Sequence, residues 1–254
     1  MSDLSAFSLA GKRILVTGAN TGIGQGIAVS IARAGGTVIG VGRSSMDDTA
    51  GKVAAMGGQF EAVSADLADT SAAGSLLDRV WDQSGPLDGL VNNAGIIRRA
   101  DAVDLSEADW DEVMDVNLKT GFLLCQSFAR RALAGGRKGK IVNIASVLSF
   151  QGGIRVASYT ASKHGVLGIT RLLACEWAAK GINVNAIAPG YIETNNTQAL
   201  RADPDRSAAI LARIPAGRWG DPGDIGDAAV FLLAPASNYM HGAVVPVDGG
   251  WLAR

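Results

Sequence analysis

"RILVTGANTGIGQGIA", residues 13–28, decides how this chain folds. The run 13–17 is apolar and β-branched and reads as a buried strand. Gly18, Gly22 and Gly24 follow at once, and an apolar helical pattern opens at 22 and continues to about 34. Glycines at such a turn let the backbone bend tightly and approach a ligand, and the free N–H groups of the helix start favour an anion. The spacing, Gly-x3-Gly-x-Gly, differs from the Gly-x-Gly-x2-Gly fingerprint of many dinucleotide sites. A pyrophosphate cradle and a plain tight turn with close helix–sheet packing both fit it. Its position between the first strand and the first helix favours the cradle.

The same alternation repeats outward from this stretch. Strands are expected at 13–17, 37–41, 59–65, 87–92, 139–146, 182–188 and 243–248, and helices at about 22–34, 45–56, 70–84, 106–134, 157–180 and 222–234. Alternating strands and helices make an α/β chain with a parallel sheet, and right-handed crossovers place helices on both faces. The expected architecture is a single-domain, doubly wound parallel sheet of about seven strands, spanning residues 1–254. Ser106 with Asp109, and Asp221 before Pro222, are helix-start signals. The polar segment 191–218 is long for a connection and is a candidate substrate loop or lid.

Composition narrows the function. The 254 residues carry 23 basic and 24 acidic side chains, so the basic excess of a nucleic-acid or membrane-surface protein is missing. Cys125 and Cys175 sit in apolar helical stretches and read as small buried hydrophobes, with no disulfide framework and no metal-ligand spacing. The N-terminal residues do not look like a signal peptide, and no apolar run is long enough for a membrane span. A cytoplasmic protein is expected, binding neither nucleic acid, membrane nor metal.

The end of the second strand should meet an adenine ribose. A carboxylate there would accept from the 2′-hydroxyl of NAD, whereas an arginine would pair with the 2′-phosphate of NADP. This chain has Gly42, Arg43 and Ser44 and no acid. Arg43 therefore favours NADP over NAD, although a solvated arginine or one stacked on adenine also fits. Asp66 is placed to accept from the adenine amino group or to cap a turn.

Chemistry enters with "SYTASK", residues 158–163. Positions four apart share a helix face, so Tyr159 and Lys163 meet. A neighbouring ammonium is expected to lower the phenol pKa from about 10 towards neutrality, which needs roughly 4 kcal/mol. Ser146, at the end of the fifth strand, can donate to a reacting oxygen. Asn117 lies mid-helix, where asparagine is disfavoured, and suits holding a water or a backbone kink behind Lys163.

In order along the chain, TGANTGIG (17–24), NNAG (92–95), Asn117, Ser146, Tyr159-x3-Lys163 and PGYIET (189–194) resemble the short-chain dehydrogenase/reductase family over essentially the whole sequence. The resemblance implies a Rossmann-type fold and hydride transfer between a nicotinamide cofactor and a carbinol or carbonyl. It makes Ser146, Tyr159, Lys163 and Asn117 the catalytic set. It assigns the cofactor to Gly18, Asn20, Gly22, Ile23, Gly24, Arg43, Asp66, Leu67, Asn93, Ala94 and Gly95, to Tyr159 and Lys163, and to Pro189, Gly190, Ile192 and Thr194. It also implies a homotetramer. The long apolar helices 106–134 and 157–180 fit that assembly, and the final WLAR is expected to reach a neighbouring subunit.

The stretches 143–163, 183–203 and 213–222 look like the branch of the family that acts on six-carbon sugar acids. Members of that branch often use NAD, so NAD stays open beside NADP. A sugar acid carries a permanent carboxylate, which an arginine can grip with two parallel hydrogen bonds. Arg155, just before the catalytic pair, or Arg98 in the patch Arg98–Arg99 is the expected anchor. Gln151, Asn195 and Asn196 are expected to bind hydroxyls. The alternatives are a reductase of carrier-bound acyl groups, another gluconate dehydrogenase, or a silent nucleotide sensor.

Overall fold

The computed structural model describes residues 4–254. Its first half runs β1 (Arg13–Thr17), α1 (Gly22–Arg33), β2 (Thr37–Gly42), α2 (Asp47–Ala55), β3 (Gln59–Ser64), α3 (Thr70–Ser84) and β4 (Gly89–Asn92). The second half runs α4 (Glu107–Met114), α5 (Thr120–Ala134), β5 (Gly139–Ile144), α6 (Ala157–Trp177), β6 (Ile182–Pro189), α7 (Gln198–Ala202), α8 (Pro204–Leu211), α9 (Pro222–Leu233) and β7 (Val244–Val247). The strands form one seven-stranded sheet in the order β3-β2-β1-β4-β5-β6-β7. Every pairing is parallel, with Leu15 opposite both Ile39 and Leu90. The doubly wound fold expected from the alternating pattern is what forms.

Alternation along each strand divides the core in two. Ile14, Val16, Val142 and Ile187 pack with Ile27 and Ile31 of α1 and Ile225 and Leu232 of α9. Leu15, Ile39, Ile141 and Val184 face the other way, onto Leu77 of α3, Phe128 of α5 and Leu173 and Trp177 of α6. Burying each such side chain contributes about 1.5–3 kcal/mol, which holds helices on both faces. The edges are more polar: β3 is largely exposed, and β7 carries Pro246, which has no N–H to donate.

Local chemistry sets the boundaries. Asp221 accepts from Gly223 N at 2.7 Å, and Ser106 accepts from Asp109 N at 3.1 Å. The single helix expected over 106–134 is interrupted by a π-helical turn, Asp115–Lys119. The segment 191–218 is not a plain loop. It folds α7 and α8, and the Asp203 carboxylate caps α8 by accepting from Asp205 N and Arg206 N, both at 3.1 Å. Cys125 is buried as expected, but Cys175 lies on the solvent side of α6 and is exposed.

Strand order reverses between β1 and β4, and parallel sheets open a crevice there. The Thr17 hydroxyl ties the two strand ends together. It accepts from Asn93 N and Ala94 N, both at 3.0 Å, and donates to Val91 O at 3.3 Å.

Candidate active site

The glycine turn sits at this crevice and is pinned from the β4 side. Asn93 Nδ2 donates to Thr17 O at 2.9 Å and to Gly18 O at 3.3 Å. Gly18 has φ +66°, and a Cβ built on Gly24 would lie 2.1 Å from Gly18 O, so neither position accepts a side chain. At the start of α1, Thr21 makes no side-chain capping bond and the first turn holds no acid. Backbone donors and the helix dipole therefore face the crevice uncompensated, the arrangement a pyrophosphate needs. The residues present fit a dinucleotide.

A cleft of about 870 Å³ runs from this turn to the lid segment. Every residue expected from the sequence to touch cofactor or substrate lines it, except Arg155. Asn117, of the catalytic set, also lies outside its walls. At the ribose end, Arg43 is 79% exposed and 3.8 Å from the Asp66 carboxylate. Asp66 Oδ1 also accepts from Ala68 N at 3.0 Å, so this acid holds its own turn. Asn20 Nδ2 donates to Ser44 Oγ at 2.7 Å beside it.

The chemistry-bearing cluster lies where β5 meets α6. Ser146 leaves β5 as the cap of a short 3-10 turn and accepts from Leu148 N at 3.1 Å. That turn is locked to α6, because Ser149 Oγ donates to Lys163 O at 2.7 Å. Ser146 and Tyr159 line the same cleft, and the Ser146 hydroxyl favours the Tyr159 phenolate. Lys163 Nζ donates to Ile144 O at 2.7 Å and stands 5.6 Å from the Tyr159 ring centre.

The electrostatics correct one expectation. Burial is the largest influence on Tyr159 and pushes its phenol up, with Ser146 and Arg99 opposing. Lys163 is not among the groups that lower it. The ammonium is itself only 4% exposed, and burial brings it down to about 8. Both groups lose hydration, so each is driven towards its neutral form before any ligand arrives.

Asn117 sits in the π-helical turn, a geometry common at functional sites. Oδ1 accepts from Ile96 N at 2.8 Å, and Nδ2 donates to Ile96 O at 3.0 Å and Ser162 Oγ at 3.2 Å. Asn117 thus ties the segment after β4 to the catalytic helix. A cavity of about 30 Å³ lies behind Lys163, lined by Asn92, Asn117 and Asn143 among others. It has room for one or two waters.

The expected carboxylate anchors are otherwise engaged. Arg155, at φ +63°, pairs with Asp101 at 3.3 Å. Arg98 reaches the cleft, but Glu112 at 2.7 Å and Asp109 at 3.4 Å hold its guanidinium against α4. All three acids come from segments whose approach the sequence does not reveal. Gln151, Asn195 and Asn196 do line the cleft. So do Arg99, Arg206, Arg213, Tyr191 and Trp251, which sequence reasoning did not single out as site residues. A usable signal was present: Asp203-Pro204 marks a helix start inside the lid, and Arg206 follows on it. The final turn packs on the end of α8 and the segment after it. Trp251 is 3% exposed, Arg213 stacks on it at 3.9 Å, and Arg254 donates to the carbonyls of Ala212 and Arg213.

Three comparisons bear on this site. A family model described as enoyl-(acyl carrier protein) reductase matches residues 18–252. The sequence is 56% identical over 251 residues to 2-dehydro-3-deoxy-D-gluconate 5-dehydrogenase of Dickeya dadantii, covering 99% of each chain. A solved Agrobacterium tumefaciens protein, assigned as a 2-deoxy-D-gluconate 3-dehydrogenase and holding NADP, is 63% identical with a TM-score of 0.94, covering 98% of this chain and 99% of that one. A gluconate 5-dehydrogenase from Burkholderia cenocepacia, solved with NADP and tartrate, is 36% identical with a TM-score of 0.93 and covers all of both chains.

Proposed function

The chain belongs to the short-chain dehydrogenase/reductase family, NAD(P)-dependent oxidoreductases acting on CH–OH groups, and on that premise we propose that it interconverts the C5 carbinol and ketone of 2-dehydro-3-deoxy-D-gluconate, a six-carbon sugar acid. The observation that carries this reading is the meeting of Ser146, Tyr159 and Lys163, with Lys163 Nζ 5.6 Å from the Tyr159 ring centre, inside a cleft whose lid end is rich in arginine. The match to the Dickeya dadantii enzyme covers 99% of each chain, the lid and the last strand included, which supports the same substrate class.

In the direction of ketone reduction, Tyr159 is the proton donor. Burial keeps its phenol protonated, so the proton is in place to reach the carbonyl oxygen as that oxygen gains charge. Ser146 donates to the same oxygen and orients it. In the reverse direction the Tyr159 phenolate, which Ser146 and Arg99 favour, accepts the carbinol proton. When bound, the nicotinamide nucleotide supplies or takes up the hydride. Gly18, Asn20, Gly22, Ile23 and Gly24 hold its pyrophosphate end; Asp66, Leu67, Asn93, Ala94 and Gly95 line the adenosine side. Pro189, Gly190, Ile192 and Thr194 receive the nicotinamide, whose ribose meets Tyr159 and Lys163.

Arg43, exposed at the ribose end with no second acid beside Asp66, favours NADP over NAD. Residues 1–254 are read as one nucleotide-binding domain with 191–218 as its substrate lid. The reading includes a homotetramer in the cytoplasm. Leu133 and Leu172 are exposed on α5 and α6, and no helix among the described residues is long and apolar enough to cross a membrane.

Steady-state kinetics with 2-dehydro-3-deoxy-D-gluconate, gluconate, a neutral polyol and a 3-oxoacyl thioester, each with both cofactors, tests the reading. The expected result is a kcat/KM highest for the deoxy sugar acid and higher with the phosphorylated cofactor. Equal turnover of the neutral polyol, or preference for the thioester, overturns it.

A further inference from the structure

The cations lining the cleft differ in what already satisfies them. Arg43 faces Asp66, Arg98 is held by Glu112 and Asp109, and Lys163 donates to a backbone carbonyl. Arg99 donates to Asn196 O at 3.2 Å. Arg206 and Arg213 have no carboxylate within salt-bridge distance among the described residues, although acids are abundant on the surrounding surface. Two unpaired guanidinium groups on one wall of a cleft repel each other and favour an anion between them.

Their setting is built. Arg206 projects from α8, and Arg213 follows where the helix ends. The guanidinium of Arg213 lies 3.9 Å over the ring of Trp251, which is 3% exposed. Stacking fixes the plane of the fork and leaves its N–H edges free, so less side-chain freedom is lost when a carboxylate docks. Tyr191 packs 4.7 Å from Trp251 and 5.5 Å from Trp219, making a rigid aromatic floor.

Position along the cleft separates these arginines from Arg99. Arg99 acts electrostatically on Tyr159, whereas Arg213 and Arg206 act on Tyr191. The lid pair belongs to the part of the cleft floored by Tyr191 and Trp251, on which Arg213 stacks. A sugar acid reacting at C5 carries its carboxylate four carbon–carbon bonds away, which calls for a cation at the far end of the site.

We propose that Arg206 and Arg213, with Trp251 beneath Arg213, form the subsite that grips the substrate carboxylate and so selects acids over neutral sugars. The proposal rests on the sugar-acid reading above and names the residues that enforce it. It replaces Arg155 and Arg98 as the anchor.

The test uses the full chain as wild type, Arg206→Met, Arg213→Met and the double variant. Both side chains are exposed, so folding should survive; Arg213→Lys, which keeps the charge, and a thermal melt guard against loss of the Trp251 stack. KM for 2-dehydro-3-deoxy-D-gluconate should rise on the order of 10-fold in each single variant and further in the double, with kcat changed far less. KM for the methyl ester of the same acid, and the dissociation constant of NADPH, should stay as in wild type. Acid and ester weakened equally, or an unchanged KM for the acid, overturns the subsite. Tartrate binding to the NADP-loaded protein, followed by tryptophan fluorescence, separates the two claims. Tartrate held by wild type and lost by the double variant upholds the subsite even if another acid proves to be the substrate. Tartrate held equally by both removes it, whichever acid turns over.

Discussion

Asn117 grips the backbone of Ile96 from both sides, accepting its N–H at 2.8 Å and donating to its carbonyl at 3.0 Å. A side-chain amide is the group that can do both at once. Asn117→Ala leaves both backbone groups unpaired in a half-buried position. We expect a loss of about 2 kcal/mol in urea unfolding. Ser162 and the turn around Tyr159 lose their tie as well, so kcat should fall more than KM rises. A variant as stable and as active as wild type would remove Asn117 from the site.

Tyr159→Phe deletes only the phenol hydroxyl. The cleft keeps its shape, so NADPH should still bind in a fluorescence titration, weakened by no more than the one ribose contact that the hydroxyl makes. Turnover should fall by about 1,000-fold, the scale of a missing general acid. Retained turnover would be incompatible with proton delivery from this residue.

Lys163 predicts a pH signature of stability. Its folded-state pKa of about 8 lies below the ordinary 10.5, because burial disfavours the ammonium. Between those values the unfolded chain binds the proton and the folded chain does not. Stability therefore rises with pH across that window, by about 3 kcal/mol, and the cost is fully present below pH 8. Lys163→Met should lack this rise. Lys140, also lowered to about 8 by burial, is common to both proteins and cancels in the difference. Parallel stability curves for the ligand-free proteins from neutral to alkaline pH would contradict the burial of this charge.

Arg43 is the testable centre of cofactor choice. Arg43→Ala should raise KM for NADPH about 10-fold and leave NADH nearly untouched. The guanidinium is 79% exposed, so the difference should shrink as salt rises. Equal effects on both cofactors would mean that it contacts something other than the 2′-phosphate.

The sheet was readable because its signals are local. Runs such as 14–16 and 186–188 are apolar without interruption, as strands covered on both faces must be. The glycine turn was readable for the same reason: Gly18 and Gly24 act on their immediate neighbours. What stayed hidden depends on which distant segments meet. Glu112 and Asp101 claim Arg98 and Arg155 from elsewhere in the chain, and no spacing rule reports it. The interplay of Tyr159 and Lys163 was half legible. Helical spacing brings them together, but their burial, which decides the direction of both pKa shifts, comes from tertiary packing. The lid lay between: its capping aspartate was visible, yet the polar composition around it masked two helices.

The floor and the lid lie after β6, while the glycine turn and the ribose contacts lie before β5. Recognition of the adenosine and pyrophosphate and recognition of the acid are thus written in separate lengths of one polypeptide, joined by the catalytic helix. Changes confined to the later length can retune which metabolite is accepted without rebuilding the redox half, so a chimera carrying a relative's residues 191–254 should inherit that relative's diet and keep this chain's coenzyme.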